Sequence, residues 1–167
     1  MASTDTRNSV DWSGGTGPLL AAIALLSVAG MLVAGYLTYT HFDRDALVCS
    51  VGECGTVQDS AYASLGPIPI SLLGVGMYVL LGVLAIARRS HAGLLSFEHA
   101  SIASWSLAFM GTLYAAYLTY VEIWVIDAIC QWCVISAIVG LLILVVETVV
   151  IWRVLLSDDA PMSESHR

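Results

Sequence analysis

The chain has 167 residues, which is room for one domain. Apolar residues make up 58 % of it and charged residues only 11 %, against about a quarter charged in an ordinary soluble domain, so a disordered chain is excluded and a water-soluble globule is disfavoured. The formal charge of −7 comes from 13 acids and six bases, all of them arginine; with no basic patch to displace counterions from phosphate, nucleic acid is excluded as a partner. The composition is that of an integral membrane protein embedded in a lipid bilayer.

Met1 to Gly17 is polar and rich in Gly, Ser and Thr, and reads as a frayed tail. The first apolar run, Pro18 to Phe42, is too long for a signal-peptide core and no A-x-A site follows it, so it is a retained span. The loop from Asp43 to Pro69 is the longest connection in the chain, and loops of that length in compact proteins are usually functional. Within it, Gln58 to Leu65 is expected to form a short interfacial half-helix that presents Ala61, Tyr62 and Leu65 to lipid or protein. Gly66-Pro67-Ile68-Pro69 should stop that helix, because proline disfavours helix at the residue before it, while Pro69 can open the next helix without losing a hydrogen bond. Further runs follow at Ile70–Ala87, Ala100–Val125 and Ala128–Val154, each near the roughly 20 residues a spanning helix needs. Gly74-Val75-Gly76 is a helix-packing surface rather than a dinucleotide loop, since no strand precedes it. The expected fold is therefore an all-α, four-transmembrane-helix bundle over residues 18–156, with polar tails at 1–17 and 157–167 and an outer loop at 43–69.

Arginine placement orients the bundle. Arg7, Arg88, Arg89, Arg153 and Arg167 fall on one side and only Arg44 on the other, so the positive-inside rule puts both termini in the cytosol and the loop at 43–69 on the outer, exported face. Glu147 lies about 19 residues into the last span, roughly 28 Å along the axis at 1.5 Å per residue, and is expected at the cytosolic interface. Glu122 is expected to be solvated at the outer end of the third span, although an acid there could handle protons. His41 reads as interfacial, while His91 and His99 belong to the cytosolic loop. Residues 34–39 echo residues 115–120, each with a cysteine 13 residues beyond its first tyrosine; an aromatic belt at the membrane interface accounts for the echo.

Cys49, Cys54, Cys130 and Cys133 are the chain's only cysteines, and the topology puts all four on the outer side. Thiols facing an exported compartment tend to be oxidised. Structural staples, a zinc site and a redox relay are the competing readings. The spacings fit zinc loosely, but Cys133 should lie about one turn into a membrane helix, poorly placed for a closed tetrahedral site. A Cys-x-x-Cys bridge closes too small a loop to stabilise much by chain entropy. A relay explains more. The N-terminus of a helix beginning at Cys130-Gln131-Trp132-Cys133 favours a thiolate, at a depth where a lipid-soluble oxidant could meet it. Asp127 could cap that helix, though its charge would oppose the thiolate. The loop pair, in contrast, is open to proteins.

The motifs Cys49-x4-Cys54, Val57-x2-Ser60-x-Tyr62, Gly66-x2-Pro69-x4-Gly74-x3-Tyr78, Tyr117-Leu118-x3-Glu122 and Ile129-Cys130-x-Trp132-Cys133-x2-Ser136 follow one another in order. This series resembles the vitamin K epoxide reductase family, and within it the bacterial and archaeal branch of quinone-linked thiol oxidases, over about Tyr36 to Leu144. The resemblance implies a bundle around a quinone (ubiquinone, menaquinone or a vitamin K-like ring) and no metal. It implies that a thioredoxin-like or DsbA-like protein, separate from a chain that stops at Arg167, reduces Cys49–Cys54. These pass electrons to Cys130–Cys133, with Cys133 against the quinone and Ser60 supporting the cap. The quinone pocket is expected from Tyr62, Ile70, Tyr78, Leu118, Glu122 and Ala137, with Trp132 as a wall of the site. Ile70 and Ala137 stand where the vertebrate enzymes carry an Asn and a Tyr that bond the naphthoquinone, which disfavours an epoxide substrate. The alternatives are a vertebrate-type vitamin K epoxide or quinone reductase, a DsbB-like oxidase, whose two cysteine pairs come in the reverse order, and a non-catalytic, disulfide-stapled membrane protein.

Overall fold

The computed structural model describes residues 16–90 and 97–158, with the side chains of 156–158 left aside. In chain order it contains α1 (Gly17–Phe42), a 3-10 turn at Arg44–Ala46, α2 (Cys54–Asp59), β1 (Ser64–Leu65), β2 (Ile68–Pro69), α3 (Ile70–Arg89), α4 (Phe97–Val121), a π-helical turn at Glu122–Ile126 and α5 (Gln131–Asp158). The four long helices, α4 together with its π turn, are each apolar and long enough to cross a membrane. They form the expected helical membrane bundle. The outer parts of both predicted tails, residues 1–15 and 159–167, and His91 lie outside the described residues.

Each helix is apolar nearly all round, because a membrane bundle packs against itself on one side and against lipid on the other. Ile23, Leu81, Ile143 and Val150 are fully buried between the helices, whereas Leu25, Leu32, Val83 and Ile102 point outward. Small residues let α1 and α3 approach closely. A Cβ on Gly30 would run into the Tyr78 ring, and one on Gly74 would touch Ala34.

One end of the bundle holds a buried ion pair. Arg88 donates to both carboxylate oxygens of Glu147, at 2.9 Å and 2.5 Å, and to the Ser104 hydroxyl at 3.0 Å. Ser104 in turn donates to Glu147, and both charged side chains are essentially inaccessible. Glu147 is therefore not at an interface, as its position along the helix suggested, but inside the bundle. The cause lies in α3, which runs on through Arg88 and Arg89 and so turns Arg88 inward as a counter-ion instead of leaving it in a loop. Intramembrane charges occur where they are paired in this way. Arg88 accordingly drops out of the arginine count that orients the chain.

The loop at the other end departs from expectation. The helix there is α2, four residues earlier than predicted, and it ends where the Ser60 hydroxyl and N–H both bond the Val57 carbonyl. Residues 64–69, of which Ser64 and Leu65 fall within the expected half-helix, form a two-residue-turn hairpin with Ser64 opposite Pro69 and Leu65 opposite Ile68. Gly66 sits at φ +62° in the turn, so the Gly-Pro pair reverses the chain rather than merely stopping a helix. Pro69 does stand at the start of α3, as its fixed φ allows.

Candidate functional site

The site begins where α4 ends. From Glu122 to Ile126 the helix widens into a π turn, and Asp127 then takes the left-handed conformation, φ 54°. The N–H groups of Asp127 and Ala128 both bond the Glu122 carbonyl, which closes the turn toward α5. Asp127 is thus a hinge and not the helix cap the sequence suggested. The π turn leaves Trp124 exposed and directs Glu122 inward, where it is only 3 % accessible. Glu122 is therefore buried, not solvated at an interface. Its Oε2 accepts the Cys130 N–H at 3.1 Å, satisfying the donor at the start of α5.

Over this corner lies the loop. Gly52 pairs with Cys130 as an antiparallel bridge, and the Glu53 N–H bonds the Ile129 carbonyl at 3.0 Å. Gln131 Oε1 accepts the Val51 N–H, and Trp132 Nε1 donates to the Val48 carbonyl, both at 2.9 Å. Tyr36 of α1 completes the strap. Its hydroxyl accepts from the Val48 N–H at 2.8 Å and donates to the Ala46 carbonyl at 3.1 Å, with its ring 4.8 Å from Trp132. Gly52 is required here. It has φ +86°, and a Cβ would strike the Ile129 carbonyl.

Cys49 and Cys54 form a disulfide with Cα atoms 6.1 Å apart, while Cys130 and Cys133 are thiols. Cys54 and Cys130 are both fully buried, in one apolar cluster with Leu37, Val57 and Ala128. Cys49 is half-buried between the exposed Val48 and Val51. The loop pair thus has an inner and an outer member. A hydrogen bond from the Cys133 thiol pulls the Cys130 thiol below its ordinary range, against the opposing effect of burial, and a thiolate is the form that attacks disulfides.

Behind the cysteines a largely apolar cavity of about 450 Å³ lies among α1, α3, α4 and α5, roofed by the loop. Cys133 and Glu122 are on its wall, and so are Ser60, Tyr62 and Ile70. Tyr78, Leu118 and Ala137 complete the expected set. Trp132 does not line the cavity. Its ring lies against Tyr36 and its N–H reaches Val48, so it serves the loop and not the pocket. Two polar groups on the wall were not singled out in the sequence. Gln58 is buried, donates to Thr40 at 3.1 Å and keeps an Oε1 with no partner. Ser136 receives the Tyr78 hydroxyl on its carbonyl at 2.8 Å. Ser136 fell within the motif series, but nothing in the sequence sets Gln58 apart from any other loop glutamine.

The sequence model of the Vitamin K epoxide reductase family matches residues 21–148, a stretch that includes all four cysteines, Glu122 and every residue of the cavity wall. No curated protein matches the chain.

Proposed function

The chain belongs to the Vitamin K epoxide reductase family, and from that premise we propose that it is a quinone-linked thiol oxidase of the bacterial and archaeal type. In this reading a separate thioredoxin-like protein on the exported side reduces Cys49–Cys54. The electrons then pass to Cys130–Cys133 and on to a quinone in the cavity, which supports disulfide formation in exported proteins. The observation that carries it is the serial order of the parts: an accessible Cys49, a Cys54 and Cys130 buried together, and a Cys133 on the cavity wall.

The cavity suits a quinone. Its volume is within the 300–1,000 Å³ typical of small-molecule sites. Its walls are apolar, and the unpartnered Gln58 Oε1 is a buried acceptor suited to the hydroxyl of a reduced ring. Ile70 and Ala137 add apolar wall, which favours a flat quinone over an epoxide that needs polar groups on its oxygen. A quinone supplies a two-electron, two-proton acceptor when bound. The chain's own residues do the rest. The reduced Cys54 thiolate attacks Cys130 of the Cys130–Cys133 bridge, and Cys49 closes on Cys54 and releases Cys130 as a thiolate. Cys133 then re-forms the bridge to Cys130 from the cavity side, and the Tyr36–Trp132 strap holds the loop in reach.

The test uses purified protein in detergent with dithiothreitol and ubiquinone-1. Wild-type protein should reduce the quinone and Cys133→Ser should fall to background, whereas equal rates would remove Cys133 from this role. The sidedness is tested separately in sealed cells. An impermeant thiol reagent should label reduced Cys49, and a tag after Arg167 should be protected; the reverse pattern overturns the orientation.

A further inference from the structure

Two carboxylates are buried among the described residues of the bundle, and they are held very differently. Glu147 is locked by a two-bond ion pair with Arg88 and by Ser104. Glu122 has no cation paired with it among the described residues. One of its oxygens takes the Cys130 N–H, and the carboxyl lies within hydrogen-bonding reach of the Cys133 thiol. It also lines the cavity. An ionisable group kept inside a membrane bundle without a counter-ion, touching a reactive thiol and facing a ligand cavity, is placed to exchange protons. The π turn that turns it inward is a distortion often found at functional sites.

We propose that Glu122 is a catalytic acid–base residue of the quinone-facing half of the reaction, taking the proton of the Cys133 thiol and delivering it to a quinone oxygen. This deepens the quinone reading above and rests on it. The balance is simple. Cys130 enters as a thiolate and Cys133 as a thiol. Their two sulfurs lose two electrons as the Cys130–Cys133 bond forms. The quinone takes those electrons and two protons to become a quinol, one proton passing from Cys133 through Glu122 and the other taken from solvent to replace the one Cys130 released on ionising. The ionisable groups facing Glu122 are Cys130, just before α5, Cys133 of α5 and, across the cavity, His41 of α1, Tyr62 of the loop, Tyr78 of α3 and Tyr114 of α4.

A purely structural role would be to satisfy the Cys130 N–H, and Glu122→Gln separates the two. A glutamine carbonyl still accepts that N–H but carries no transferable proton. Full-length E122Q and E122D are compared with wild-type protein in detergent, with ubiquinone-1 as probe. E122Q should reduce quinone about 100-fold more slowly or worse, the scale of lost general acid–base catalysis, with E122D restoring part of the rate. Exchange between the loop cysteines and Cys130, measured on the same variants without quinone, should change by less than about 10-fold, far less than quinone reduction, because the carboxyl acts on that step only through the charge it places beside Cys130. In fully reduced, quinone-free E122Q, alkylation of Cys130 should titrate at lower pH, since the carboxylate charge that opposes the thiolate is gone. Wild-type turnover in E122Q overturns the proposal. Equal loss of exchange and quinone reduction also overturns it, by making Glu122 structural. A wild-type protein that reduces no quinone overturns the quinone reading itself, and is seen before any variant is compared.

Discussion

Trp132, between the two cysteines of the Cys-x-x-Cys segment, bonds the carbonyl of Val48, the residue before Cys49, across 84 positions of sequence. Its neighbour Gln131 bonds the Val51 N–H, on the far side of the same cysteine. Both middle residues of the motif therefore grip the loop on either side of Cys49, and the residues between the thiols position the partner disulfide. Trp132→Phe keeps a ring against Tyr36 and removes one hydrogen bond, a net loss of about 0.5–1.5 kcal/mol. The docked loop should become up to about 10-fold less populated. The measurement is reduction of Cys49–Cys54 by a small dithiol without quinone, which should speed up by a similar factor, while transfer from Cys54 to Cys130 slows. Unchanged rates for both steps would mean that the strap does not govern docking.

Gly52→Ala should be harsher. The left-handed backbone costs a non-glycine residue about 1–2 kcal/mol, and the new Cβ meets the Ile129 carbonyl, so the Gly52–Cys130 bridge should break. Hydrogen exchange at Glu53, whose N–H bonds Ile129, should rise to that of an open loop, and dithiol-driven quinone reduction should fall at least 10-fold. A protected Glu53 amide in the variant would count against this account.

The spans and the cysteine ladder could be read from the sequence because each depends on one local property: apolar length for the helices, and residue type at fixed spacing for the motifs. What was not legible depended on where a helix ends. Continuing α3 by two residues past Ala87 moves Arg88 from loop to core and gives Glu147 a partner, and hydropathy does not register that pairing. One π turn replaces Asp127 by Glu122 at the entrance to α5, and no composition signal marks it. Its place between two cysteines suggests that Trp132 is pocket wall, yet a side chain at the start of a helix faces a direction different from its neighbours', here the loop.

The Arg88–Glu147 pair predicts an asymmetry. Removing one partner leaves an uncompensated buried charge, so Arg88→Met or Glu147→Met alone should destabilise the protein by about 3–5 kcal/mol. Replacing both with Met should recover most of that loss, because an apolar pair of similar volume suits the bundle. Unfolding in detergent with increasing sodium dodecyl sulfate reads the difference. Quinone turnover per folded molecule should be unchanged in the double variant, since the pair lies away from the cavity wall.

The hydrogen bond from Cys133 favours the thiolate of Cys130. Reactivity that depends on this thiolate is full above its lowered pKa and is lost as the pH falls through it. Cys133→Ala removes the largest lowering influence and leaves burial and the Glu122 charge opposing ionisation, so the alkylation profile of Cys130 should move to higher pH. A profile that stays put would show that the neighbouring thiol does not set the ionisation.

For the proposed relay, burial predicts an order of transfer between the pairs. Cys54 opens α2 and is fully enclosed with Cys130, and the Gly52–Cys130 bridge holds the chain two residues before Cys54 against the start of α5. Cys49 lies outside that cluster's buried centre, half-buried on the rim. An attacking thiolate must reach one sulfur of the target disulfide to form a mixed disulfide, and a bridge needs Cα atoms within about 7 Å. Cys54 meets that geometry with Cys130 by small movement of a loop already docked there, which in the proposed relay leaves Cys49 for the partner protein. Cys49→Ala or Cys133→Ala should therefore accumulate a Cys54–Cys130 bridge. Cys54→Ala should instead accumulate Cys49 linked to a thioredoxin-like protein. Peptide mapping of Cys49→Ala under non-reducing conditions decides the matter, because a dominant Cys54–Cys133 bridge would route the electrons past Cys130 and reject this order.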